Sequence, residues 1–260
     1  MELIRSTHTN YDEYESLLLE RDQAQKEAGQ IWTCYIQTFG KLIADVYEEK
    51  IECIKCRKTI DFYQRALNHG GVVDQDAMQE YLDREMALYY VNLKRMQDDY
   101  QKCKNAGTST SYEVQRSRTL YRRLAKLIHP DINPETDRQE VLKELWQRIL
   151  TAYGYNDIKA LSELEVLVRK ALKDLGQKEI KIDIPDISER IDALKKEILD
   201  ITHTEPYTYR ELLENDDAVE KKKTALQEEL DTYKKYHEEL KEAILQIVSK
   251  GGIEIKWRMN

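Results

Sequence analysis

Ser117-Arg118-Thr119-Leu120-Tyr121-Arg122-Arg123-Leu124-Ala125-Lys126-Leu127-Ile128 runs directly into His129-Pro130-Asp131-Ile132-Asn133-Pro134, and this stretch decides how the chain is built. At about 100° per residue, Leu120, Tyr121, Leu124, Leu127 and Ile128 fill one side of a helix. Arg116, Arg118, Arg122, Arg123 and Lys126 fill the other side, opposed within 112–128 by Glu113 alone. Pro130 then ends the helix, because its ring fixes φ and removes a backbone donor, and Pro134 does the same four residues on. The result is an amphipathic helix with a cationic face, followed by a stiff loop that presents His129 and Asp131.

Working outward, residues from about 138 to 153 and from 157 to 175 repeat the helical spacing, separated by Gly154-Tyr155-Asn156 and closed by Gly176. Leu142, Leu145, Trp146, Ile149 and Tyr153 can face Leu120, Leu124 and Leu127 in an antiparallel pair with the His129–Pro134 loop at its tip. Before this unit, apolar residues recur at spacings of three and four from Asn10 to Asn68, which predicts one very long helix, loosened at Gly29 and Gly40. His69-Gly70-Gly71 is its stop, and Asp74 caps a second, antiparallel helix through about Lys104. The polar run 105–111 is a linker. After the central unit, Glu179–Ile184 alternates as a short strand and Ile253–Trp257 does so again. Between them lies a charged helical stretch with a break at Pro206 and a turn near Asn215-Asp216. A hairpin there would let the two strands pair antiparallel at its base.

Composition narrows the function classes. The 260 residues contain 9 Gly and 4 Pro, too few for the closely spaced turns of an all-β fold, and no Gly-rich phosphate turn follows a strand. A net charge of −8 disfavours nucleic acid and anionic lipid as partners, since the cationic face is only one helix long. No apolar run is long enough for a membrane span and no secretory leader is read, so a cytoplasmic location is expected, with the 4 cysteines as reduced thiols. Cys53-Ile-Lys-Cys56 sits at helical i,i+3 spacing with no second Cys/His pair nearby, so no metal or other cofactor is expected. No nucleophile and base pattern points to an enzyme.

Tyr121-x-x-Leu124-Ala125-x-x-x-His129-Pro130-Asp131-x-Asn133-Pro134, with Trp146, Ile149 and Ala152-Tyr153 downstream, closely resembles the second helix, signature loop and third helix of the J domain, the DnaJ family of co-chaperones. The resemblance covers about residues 112–160. It implies docking on a DnaK-type chaperone ATPase and stimulation of that partner's ATP hydrolysis. By the same resemblance, His129, Pro130 and Asp131 would be the coupling residues, and Arg118, Arg122, Arg123 and Lys126 the docking face. On physical grounds alone, the preferred reading of His129 is a loop residue bonded to backbone and that of Asp131 a cap on the following segment; a free Asp131 would suit an arginine of a partner.

Two departures from the family matter. The usual first helix has no counterpart just ahead of Ser111, so either the N-terminal helix, with Tyr11, Tyr14, Leu17, Leu18 and Ile31, or the helix bearing Leu161, Leu164, Val168 and Leu172 must cover the open face. No Gly/Phe-rich linker and no set of CxxC pairs is present either. The expected fold is mainly α: long, coiled-coil-like helical hairpins flanking a small J-domain-like unit, with a short two-stranded β ribbon. The expected division is 1–106, an antiparallel helical hairpin; 112–176, the J-like unit; and 177–260, a second hairpin bracketed by strands. The first functional expectation is a co-chaperone whose arms bind a client or assembly. The alternative is a structural or adaptor coiled-coil protein whose J-like unit no longer engages a chaperone. The helical pattern suits an intramolecular hairpin or a homodimer alike.

Overall fold

The structure, a computed structural model, describes residues 2–104, 106–107, 109–176, 186–250 and 254–256, and of residues 2–9, 250 and 254 the backbone alone. The apolar spacing of the N-terminal stretch forms a single helix, α1 (Glu2–Asn68), unbroken at Gly29 and Gly40. It stops where Gly70 and Gly71 take φ of 105° and 76° and the Gly71 N–H turns back to the Ala66 carbonyl at 2.9 Å. That left-handed turn is open to residues without a Cβ. A short strand follows, β1 (Val72–Asp74), and the Asp74 carboxylate accepts the Ala77 N–H at 3.0 Å to cap α2 (Gln75–Lys104).

Beyond the linker come α3 (Ser111–Ile128), a single turn α4 (Glu135–Arg138), α5 (Glu140–Gly154) and α6 (Ile158–Asp174). Then follow α7 (Ile187–His203), α8 (Tyr209–Leu213), α9 (Asp216–Lys250) and β2 (Glu254–Lys256). The fold is mainly α with a two-stranded ribbon, as the sequence predicts. Among the described residues no helix is long and apolar enough to cross a membrane. The chain divides into two compact units, Met1–Ile31 with Gly107–Thr208 and Trp32–Ala106 with Tyr209–Asn260. Each takes one stretch of α1 and a later stretch of chain, so the stretch read as a C-terminal hairpin is shared out, α7 to the first unit and α9 to the second.

In the second unit α9 lies along α1 and α2. Its Val219 and Leu226 pack with Tyr35 and Phe39 near one end, and its Ile244 and Ile247 with Tyr63, Met78 and Leu82 near the other. Along this unit α9 therefore runs in the direction of α1. That explains the ribbon: β1 follows α1, β2 follows α9, and two strands leaving parallel helices pair parallel, Val73 opposite Ile255. The antiparallel pairing expected for the C-terminal strand is corrected by this arrangement, and its expected partner, 179–184, lies outside the described residues. At Gly40 a Cβ would stand 3.3 Å from the Tyr100 ring, so the bare glycine lets α2 approach closely. Cys53 is buried, its thiol donating to the Tyr233 carbonyl, which fits the helical reading of the CxxC spacing.

In the first unit, Thr110 and Glu113 form a capping box that starts α3. Leu120, Leu124 and Ile128 of α3 meet Leu142, Leu145 and Ile149 of α5 in one core. Both candidate covers are present in that core: Leu19 from α1, and Leu161, Leu164 and Val168 from α6. Each such side chain removed from water contributes about 1.5–3 kcal/mol. A satellite cluster joins Tyr14 and Leu18 of α1 to Ile132 of the loop and to Ile191 and Leu194 of α7.

Candidate partner-docking site

The site is the loop between α3 and α4 together with the exposed face of α3. Local chemistry shapes the loop beyond its two prolines. The carbonyl of His129 accepts the N–H groups of Ile132 and Asn133, and the buried Asn133 side chain spans the turn, donating to the Leu127 carbonyl at 3.0 Å and accepting from the Glu135 N–H at 3.1 Å. The segment after His129-Pro130-Asp131 is thus tied by Asn133, which performs the capping that Asp131 could have performed.

His129 is only 3% exposed. Its Nδ1 accepts the Asp131 N–H at 3.1 Å, which places the ring proton on Nε2, 3.5 Å from Oδ2 of Asp22. The ring also stands edge-on to Trp146, 4.9 Å between centroids. Pro130 is half-buried. The Asp131 side chain is 42% exposed and lies 3.7 Å from the guanidinium of Arg21, a long ion pair and not a hydrogen bond.

All four predicted cations lie on the exposed face of α3. Two are paired within the unit, Arg123 with Glu165 of α6 at 3.0 Å and Lys126 with Glu15 of α1 at 2.6 Å. For Arg118 and Arg122 no ion pair occurs among the described residues, and both point to solvent. The structure therefore brings His129 and Asp131 together at one end of the cationic face and splits the cations into an engaged pair and an open pair.

Sequence reasoning named Leu18 of α1 as a cover for this unit but missed its neighbours Glu15, Leu19, Asp22, Gln23 and Lys26. All six recur at the spacing of one helix face, and every one of them meets the segment from α3 to α6. Asp22 accepts the Tyr121 O–H at 2.5 Å. Burial works against the charge of this carboxylate, yet hydrogen bonds from His129 and Tyr121 and the Arg21 charge outweigh it and hold its pKa below the usual carboxylate range. Burial, supported by the Asp22 charge, pushes the Tyr121 phenol up in turn. Gln23 accepts from the Tyr153 O–H, whose ring stacks on Tyr121 at 3.9 Å. Lys26 donates to Oδ1 of Asn156 at 2.5 Å and lies 3.6 Å over the Tyr153 ring. Burial brings its pKa down to about 8.

Such an arrangement can exchange charged contacts with a partner. Among the described residues no group of three or more His, Cys, Asp or Glu could hold a metal ion. No protein-family model, no curated protein and no solved structure matches the chain.

Proposed function

We propose that this chain is a cytoplasmic, J-domain-like co-chaperone that docks on a DnaK-type chaperone ATPase and stimulates its ATP hydrolysis, while its helical arms bind a client or assembly. The chain itself performs no chemistry in this reading. The observation that carries it is the exposed Asp131 carboxylate on a tied loop, at the end of a helix whose Arg118 and Arg122 face solvent. A tied loop presents its charge at little ordering cost on binding, and open cations speed association with an acidic surface. The test is steady-state ATP turnover of a DnaK-type chaperone with and without the chain. Wild type should raise turnover, Asp131→Asn should abolish the rise, and Arg118→Glu with Arg122→Glu should weaken it in a salt-dependent way.

One observation favours a second reading, in which the J-like unit is scaffold. His129 is buried against Trp146 and faces Asp22, so its ring serves the unit's own packing. An adaptor of this kind leaves ATP turnover indifferent to wild type and to every variant above.

A further inference from the structure

The face that would meet a chaperone is already engaged by the chain's own charges. Glu15 sits on Lys126 at 2.6 Å and Arg21 on Asp131 at 3.7 Å, so an acid stands against a docking cation and a guanidinium against the signature carboxylate. Both occupants belong to α1, and their side chains are mostly covered, 15% and 19% exposed. Lys126 on the docking side is 57% exposed, so it and Asp131 have room to turn outward while the α1 groups stay in place. Arg21 is also held from behind, its guanidinium 2.8 Å from Asp22 and 3.9 Å from Glu197. The rest of the stripe anchors the helix itself: Leu19 lies in the core, Asp22 binds Tyr121 and Lys26 binds Asn156.

Resting on the docking reading above, we propose that α1 carries an internal competitor for the chaperone: Glu15 and Arg21 occupy Lys126 and Asp131, and a partner docks by exchanging these two ion pairs for its own carboxylate and guanidinium. The helix is not displaced. Only the two rim pairs change hands, and the attenuation follows from their strength. Ion pairs whose docking-side partner is exposed, as Lys126 and Asp131 are, correspond to about two- to five-fold in an equilibrium constant each, which is graded damping and not a closed gate.

The experiment uses the full chain, wild type against Glu15→Gln, Arg21→Gln and the double variant. The quantity read is the concentration that gives half-maximal stimulation of a purified DnaK-type ATPase. It should fall about two- to five-fold for each single variant and further for the double one, with the gain shrinking at high salt. Wild type that stimulates, with a double variant no better or worse than it, overturns the competitor and leaves the docking reading standing. Absence of stimulation by every protein overturns both. Arg21→Gln also loosens the neighbourhood of Asp22, so thermal midpoints are measured alongside. If that variant unfolds early, Glu15→Gln decides alone: an unchanged half-maximal concentration rejects the competitor.

Discussion

The carboxylate of Asp22 faces Nε2 of the buried His129 across 3.5 Å, tying the long N-terminal helix to the loop that follows α3. Neither group alone would tolerate its place. The imidazole needs an acceptor for its buried N–H, and the carboxylate needs donors to offset its burial.

Asp22→Asn should therefore cost about 1–3 kcal/mol at neutral pH, because it breaks a charge-assisted set that includes the Tyr121 O–H. The acid dependence has a definite sign. The folded-state pKa lies below its ordinary value, so the unfolded chain binds the proton more readily; the stabilisation is whole above the ordinary carboxylate pKa and is lost as pH falls through the folded value. Urea unfolding at pH 7 and near pH 3 checks this: the gap between wild type and variant should narrow in acid.

Lys26 gives the opposite slope. Its pKa falls from 10.5 to about 8 on folding, so between those values the unfolded state holds more protons and stability rises with pH. Lys26→Met should flatten that rise. The side chain is partly open to solvent, which limits the difference to about 1 kcal/mol. Thermal midpoints of both proteins from pH 7 to pH 10 decide it, since every other titrating group is common to both.

Leu19 and Leu161 support the core between α3 and α5 from two different helices. Either one cut to Ala should cost about 2–4 kcal/mol through lost burial and the cavity left behind. Amide exchange should speed up in α3 and α5 in both variants. If Leu19→Ala left exchange in α3 unaltered, α6 alone would cover the open face.

The parallel ribbon makes a smaller contribution. Ile255→Pro fixes φ at the centre of β2, opposite Val73, so it should loosen the pairing, raise exchange at residues 72–74 and cost about 1 kcal/mol or less. Val73→Ala should cost more, because Val73 is fully buried with Tyr63, Met78 and Leu82. Equal losses would mean that the ribbon's backbone bonds, and not its buried side chain, hold the turn in place.

The helices of the central unit were legible because their signals are local: the two-faced spacing of 117–128, the arrest at His129-Pro130 and the break at Gly154–Asn156. The exposed cations of α3 follow from the same period. The partner of β2 was not legible, because strand alternation carries no address; the choice of β1 depends on α9 running beside α1, a pairing of segments far apart in the chain. Asp22 escaped notice for a related reason. A carboxylate between Arg21 and Gln23 on a charged helix reads as solvated until Tyr121 and His129 are brought against it.

The shared helix α1 has a consequence for the order in which a ribosome makes this protein. Each compact unit closes on a stretch of α1 that is synthesised first, but with segments that emerge much later: residues 107–208 for one and 209–260 for the other. A nascent chain that has just released α2 carries Leu18 and Leu19 with no α3 or α7 to receive them, and Tyr35 and Phe39 with no α9. Contacts spanning such separations form slowly, and exposed apolar seams are what chaperones of the nascent chain retain. The second unit can be completed only after α9 has left the exit tunnel, some 180 residues after the stretch of α1 on which it closes.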